Sequence, residues 1–140
     1  MKGQYRIVTE VMLFAIGVAI TSYVILSFGN VHAAIADLSL RDNMDGVANL
    51  VVNGLVKASA IKNTTLRIEI PDKIAQYTYK IALSGDQINV SSMDKPDIFV
   101  IKQLFNMSQN YIISGETVSS AKFIEIVFDG TQIKIKRSVR

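Results

Sequence analysis

The side chains able to do chemistry are few and scattered. His32 is the only histidine and cysteine is absent, so a metal site would lack ligands and a histidine-activated nucleophile would lack a partner. Asp37, Asp42 and Asp45 are grouped, but without the alternating ligands, central glycine and bidentate glutamate of a calcium loop. They read as a solvated helix face or as a break before Gly46. Lys134, Lys136, Arg137 and Arg140 form a basic C-terminal strand, which reads first as edge protection against sheet aggregation and second as a surface for an acidic polymer. The formal charge of +3 is too small and too dispersed to argue for nucleic acid. No catalytic, cofactor-binding or metal-binding set emerges, and the chain is not expected to be an enzyme. The remaining chemistry is modification: Asn63-Thr64-Thr65, Asn89-Val90-Ser91 and Asn106-Met107-Ser108 each match the N-glycosylation acceptor pattern.

The elements that carry these residues begin with MKGQYRIVTEVMLFAIGVAITSYVILSFGN. From Val11 to Ala36 there is no charged side chain, which suffices for the roughly 20 apolar residues that cross a bilayer as a helix. Thr21, Ser22 and Ser27 can return their hydroxyls to backbone carbonyls one turn back. Tyr23 and Phe28 suit an interface as aromatic anchors. A secretory signal has an apolar run of about 7–15 residues before its cleavage site; this run is longer, and helical spacing continues beyond it. Ile35, Leu38, Met44, Val47, Val51, Leu55, Ala58 and Ile61 follow i, i+3, i+4 steps with one gap near Arg41. The expectation is one nearly continuous helix from about Tyr5 to Ile61, lipid-embedded first and then amphipathic, with a cleaved leader as the alternative. Lys2, Arg6 and the amino terminus precede the span and mixed or acidic residues follow it, which puts the N-terminus in the cytoplasm.

After Lys62 the period changes from helix to strand. Leu66–Ile70, Tyr77–Leu83, Gln87–Val90, Ile98–Ile101, Tyr111–Ile113, Lys122–Phe128 and Thr131–Lys136 read as strands. Ser84-Gly85-Asp86 reads as a turn, as does Ser114-Gly115 or Ser119-Ser120. Asp129-Gly130 reads as a two-residue type I′ hairpin turn with positive φ at both positions. The fold class expected is α+β: a long N-terminal helix followed by a small antiparallel β-sheet or β-sandwich. Only about 80 residues lie beyond the helix, near the lower size limit for a core that stabilises itself.

This order resembles an archaeal type IV pilin-like protein with a class III signal peptide. The short basic leader, the Lys2-Gly3-Gln4 junction, the long apolar segment and the stretch Leu66–Leu83 with Gly85 and Ile88–Val90 carry the resemblance. It implies a prepilin peptidase that cuts between Gly3 and Gln4, and a membrane-stored subunit whose helix is drawn from the lipid bilayer into a filament by self-association or with other pilins. Such proteins often have a glutamate at the fifth mature position, paired with a neighbour's amine. Here that position is Val8 and the nearest acid is Glu10, with Arg6 one turn before it. Gly17, between Ala15 and Ala19, would let helices approach closely. The division expected is 1–3 leader, 4–30 transmembrane helix, 31–62 amphipathic continuation and 63–140 extracellular β-domain. The alternative function is a single-pass membrane anchor carrying a surface domain that binds a partner through its sheet.

Overall fold

No proline occurs before Pro71, so nothing in the first part of the chain removes a helical hydrogen bond or clashes with the preceding turn. The computed structural model describes residues 2–61, 63–105, 107 and 109–138. A single helix, α1, runs over Lys2–Ser59. Seven strands follow: β1 Thr64–Glu69, β2 Tyr79–Ser84, β3 Gln87–Ser92, β4 Phe99–Gln103, β5 Ile112–Val118, β6 Phe123–Phe128 and β7 Gln132–Arg137. The α+β class is as expected. The strands form one sheet in the order β1-β6-β7-β5-β2-β3-β4, not a sandwich.

The chain divides into two compact units, Met1–Ala36 and Asp37–Arg140. In the first, large apolar side chains from Tyr5 through Phe28 are exposed on every side of the helix. The segment is long and apolar enough to cross a membrane. Both its threonine hydroxyls are satisfied internally: Thr9 Oγ1 donates to the Tyr5 carbonyl and Thr21 Oγ1 to the Gly17 carbonyl, each at 2.9 Å.

In the second unit, the helix buries Leu40, Met44, Val47, Ala48, Val51, Leu55 and Ala58. Ile35, Leu38 and Ile61, expected on that stripe, are exposed instead. At about 100° per residue, Leu38 and Met44 lie roughly 120° apart around the helix, whereas Leu40 and Met44 are one turn apart. Ile61 lies beyond the last helical residue. Opposite this stripe the strands alternate as half-buried strands should: Ile81 and Leu83, Ile88 and Val90, Ile124 and Ile126, and Ile133 and Ile135 point into the core.

Gly54 packs against β1 and β6. A Cβ there would press on Ile68 Cδ1 and lie 2.8 Å from Ile126 Cδ1. At the other edge, Lys102 of β4 reaches Asp45 of the helix, Nζ to Oδ1 2.9 Å. The helix therefore crosses the sheet from the β4 side to the β1 side.

One pairing departs from the antiparallel expectation. β5 runs parallel to β7, with Gly115 opposite Ile135. Ser114-Gly115 is consequently not a turn but the middle of β5. Gly115 has φ +127°, and a Cβ on it would collide with the Ile135 carbonyl oxygen, so glycine is what lets the two backbones meet there. The chain turns instead through a single 3-10 turn at Ser119–Ala121.

Asp129-Gly130 is not a two-residue type I′ turn. Phe128 pairs with Ile133 and the Asp129 N–H donates to the Gln132 carbonyl at 3.2 Å, so the connection closes around Gly130-Thr131 instead, and only Gly130 of the expected pair takes positive φ, +97°. An arrangement with positive φ at two successive positions does occur, at Ala75 and Gln76 (φ +48° and +74°). Ile74 and Tyr77 bridge that turn with reciprocal backbone bonds of 3.0 and 2.9 Å.

Candidate functional site: the apolar helix and the cations of the sheet

The Gly3–Gln4 bond lies within α1. Glu10 is exposed, and its Oε1 is 3.3 Å from Arg6 Nε one turn earlier, the i, i+4 pair its spacing allows. Gly17 has open space where a Cβ would go. With Phe14, Val18, Thr21 and Ser22 it lines a shallow notch in the helix surface. Tyr23 and Phe28 are exposed. Among the described residues this segment presents apolar surface and the Arg6–Glu10 pair.

His32 is exposed on the helix. Among the described residues no three metal-ligating groups come together. Asp37 and Asp45 fasten the helix to Lys95 and Lys102 of the sheet unit, Asp42 is exposed, and the helix runs through all three without a break. Asp37 Oδ1 accepts from Lys95 Nζ at 2.6 Å, and that hydrogen bond is the largest cause holding the Lys95 ammonium above its ordinary pKa. Asp45 and Asn49 together receive Lys102 Nζ, with 2.6 Å to Asn49 Oδ1. Tyr79 is fully buried, and its hydroxyl donates to the Pro71 carbonyl at 2.6 Å. Burial, with Asp72 nearby, pushes its pKa well above the usual phenol value.

The reading of the C-terminal strand as a protected edge is overturned. β7 pairs with β6 on one side and β5 on the other, so its lysines guard no edge. Lys134, Lys136 and Arg137 are exposed, and Arg140 lies outside the described residues. The sheet edges are β1 and β4, and β4 exposes Phe99 and Ile101.

A concave groove of about 530 Å³ is lined by Arg67, Ser120, Ala121, Lys122, Phe123, Arg137 and Ser138. The Arg67 guanidinium lies 4.2 Å over the Phe123 ring. Sequence reading singled out neither Arg67 nor Lys122, because they come from β1 and the turn before β6. Only the antiparallel β1–β6 register, with Glu69 opposite Phe123, places them beside the end of β7.

The acceptor asparagines fall in three environments. Asn63 is exposed between α1 and β1 at φ +53°. Asn89 lies within β3, paired with Ala82 and Ile101, and its Oδ1 is buried without a hydrogen-bond partner. Asn106 lies outside the described residues. Compared with protein-family models, curated proteins and solved structures, the chain finds no match.

Proposed function

We propose that the protein is a pilin-like structural subunit of an archaeal type IV pilus-type surface filament, or a minor component of its assembly machinery. The observation that carries this reading is the double use of α1. The same uninterrupted helix is apolar all round in its first part and, from Leu40, the central packing element of the sheet unit. A domain that needs only tethering can hang from any flexible linker. A domain whose core is built on the continuation of an apolar helix is suited to assembly, because one element then serves both a filament core and the domain. In this reading Gly3–Gln4 is cut by a prepilin peptidase, Gln4 becomes the N-terminus, the bilayer stores the subunit with its N-terminus cytoplasmic, and the β-domain faces outward.

A second reading, a single-pass anchored surface domain, is favoured by the Arg6–Glu10 pair. A glutamate already paired within its own helix suits a headgroup-level position and has less to offer a neighbour's amine. Intact mass of the protein purified from its native membranes separates the two. The pilin reading expects loss of Met1–Gly3; an intact chain, or loss of Met1 alone, would replace it with the anchor.

A further inference from the structure

We propose that the groove between the ends of β1, β6 and β7 binds an acidic polysaccharide, its carboxylate or sulfate groups received by Arg67, Lys122 and Arg137. Among the described residues four cations are matched to carboxylates, Arg6 with Glu10, Lys80 with Glu116, Lys95 with Asp37 and Lys102 with Asp45, while Arg67, Lys122 and Arg137 are set apart by converging on one groove. Among the described residues none of the three groove cations has a carboxylate within ion-pair distance. Glu125 faces Arg67 across the β1–β6 pair and Lys136 across the β6–β7 pair. It instead accepts the Ser138 hydroxyl at 2.8 Å.

Two of the three cations are held in place. Arg67 stacks on Phe123, which orients the guanidinium plane and leaves its N–H edges for a planar carboxylate or a sulfate. Lys122 sits at φ +59°, ψ −31°, a conformation that a side-chain-bearing residue rarely adopts. Its backbone is pinned there by its own N–H to the Ser119 carbonyl, 3.0 Å, and by the Ile70 N–H to its carbonyl, 2.8 Å. Strain of this kind, maintained by surrounding bonds, is a feature of ligand-holding positions.

The groove's shape selects the ligand class. Through Ser120 and Arg137 it continues into a second hollow of about 280 Å³, lined also by Lys80, Glu116, Thr117 and Val118. Thr117, 5% exposed, has a hydroxyl without a hydrogen-bond partner. A two-lobed trough with cations, the hydroxyls of Ser120 and Ser138 and one aromatic ring exceeds what a single inorganic anion would fill. It fits successive sugar units that alternate charge with hydroxyls. Single-stranded nucleic acid fits less well, because the Phe123 face that would stack a base is already covered by Arg67.

The test uses the full chain in detergent and measures binding to alginate, a polyuronate, and to dextran sulfate, with neutral dextran and a single-stranded oligodeoxynucleotide as comparisons. Binding to one or both acidic glycans, and not to neutral dextran, is expected; which of the two binds more tightly assigns the ligand as carboxylate or sulfate. Lys122→Gly removes the ammonium and relieves the positive φ, so its melting temperature should hold or rise while glycan binding weakens about tenfold. Arg67→Gln should weaken binding similarly, and Lys134→Gln, exposed on β7 outside the groove, should not. Full binding by Lys122→Gly and Arg67→Gln would overturn the proposal, as would equal weakening by Lys134→Gln or oligodeoxynucleotide binding as strong as glycan binding. None of these outcomes depends on whether the chain forms filaments.

Discussion

Asp129 and Gly130 do separate jobs in the β6–β7 connection, and their division explains both what the sequence reveals and what it hides. Gly130 supplies the positive φ, +97°. Asp129 supplies an acceptor: its Oδ1 takes the Gln132 N–H at 2.7 Å, the Thr131 N–H at 3.0 Å and the Thr131 hydroxyl at 3.1 Å. Those bonds, that from Gln132 first, hold its carboxyl below the usual carboxylate range. Gly130→Val should lower the stability of the full chain by about 1 kcal/mol or more, because a β-branched residue resists that backbone conformation. Thermal unfolding in detergent measures it, and an unchanged transition would refute the assignment. The turn at Ala75–Gln76 and the bend at Lys122 were illegible for the opposite reason. Neither contains glycine, asparagine or aspartate, the residues through which positive φ ordinarily announces itself; the Ile74–Tyr77 backbone bridge closes the first, and the bond from the distant Ile70 N–H helps hold the second.

Along α1, two glycines of the same helix should answer substitution with opposite signs. Gly46 is exposed and has nothing within 4 Å of a would-be Cβ, so Gly46→Ala should stabilise by up to about 1 kcal/mol through helix propensity alone. Gly54 faces Ile68 and Ile126, so Gly54→Leu should destabilise by roughly 1–3 kcal/mol through overpacking. Denaturant or thermal midpoints of the two variants check the pair; the same sign in both would mean that the helix does not lie on β1 and β6 as described. The helix and most strands were legible from the switch between period 3.6 and period 2, whereas only the start of β5 was, since Ser114-Gly115 inside it reads as a turn. The start of the core stripe was not, because Ile35 and Leu38 continue the apolar spacing while the stripe that meets the sheet begins at Leu40. Pairing order was also hidden. Nothing local in Gln132–Arg137 distinguishes an edge strand from one paired on both sides, and the parallel β5–β7 contact depends on Gly115 within a segment that reads equally well as a turn.

For the whole molecule, the proposed function puts the sheet unit, with its cationic groove, outside the cell. Ser84→Cys, at an exposed position ending β2, should react with an impermeant thiol reagent on whole cells; reaction only after lysis would reverse the orientation. In the proposed function the apolar helix assembles with other helices rather than only with lipid. Lipid places no limit on side-chain size, whereas helix–helix contact depends on small residues for close approach. Likewise a headgroup-level charge is dispensable, whereas a counter-charge to a buried amine is not. The most direct measurement is recovery of the parent, Gly17→Leu and Glu10→Ala proteins in the sheared, pelleted surface fraction, normalised to membrane abundance. A filament subunit should be recovered as filaments in the parent, with both variants inserting normally but depleted from that fraction; equal recovery of all three, or no filament from the parent, would contradict assembly through the helix.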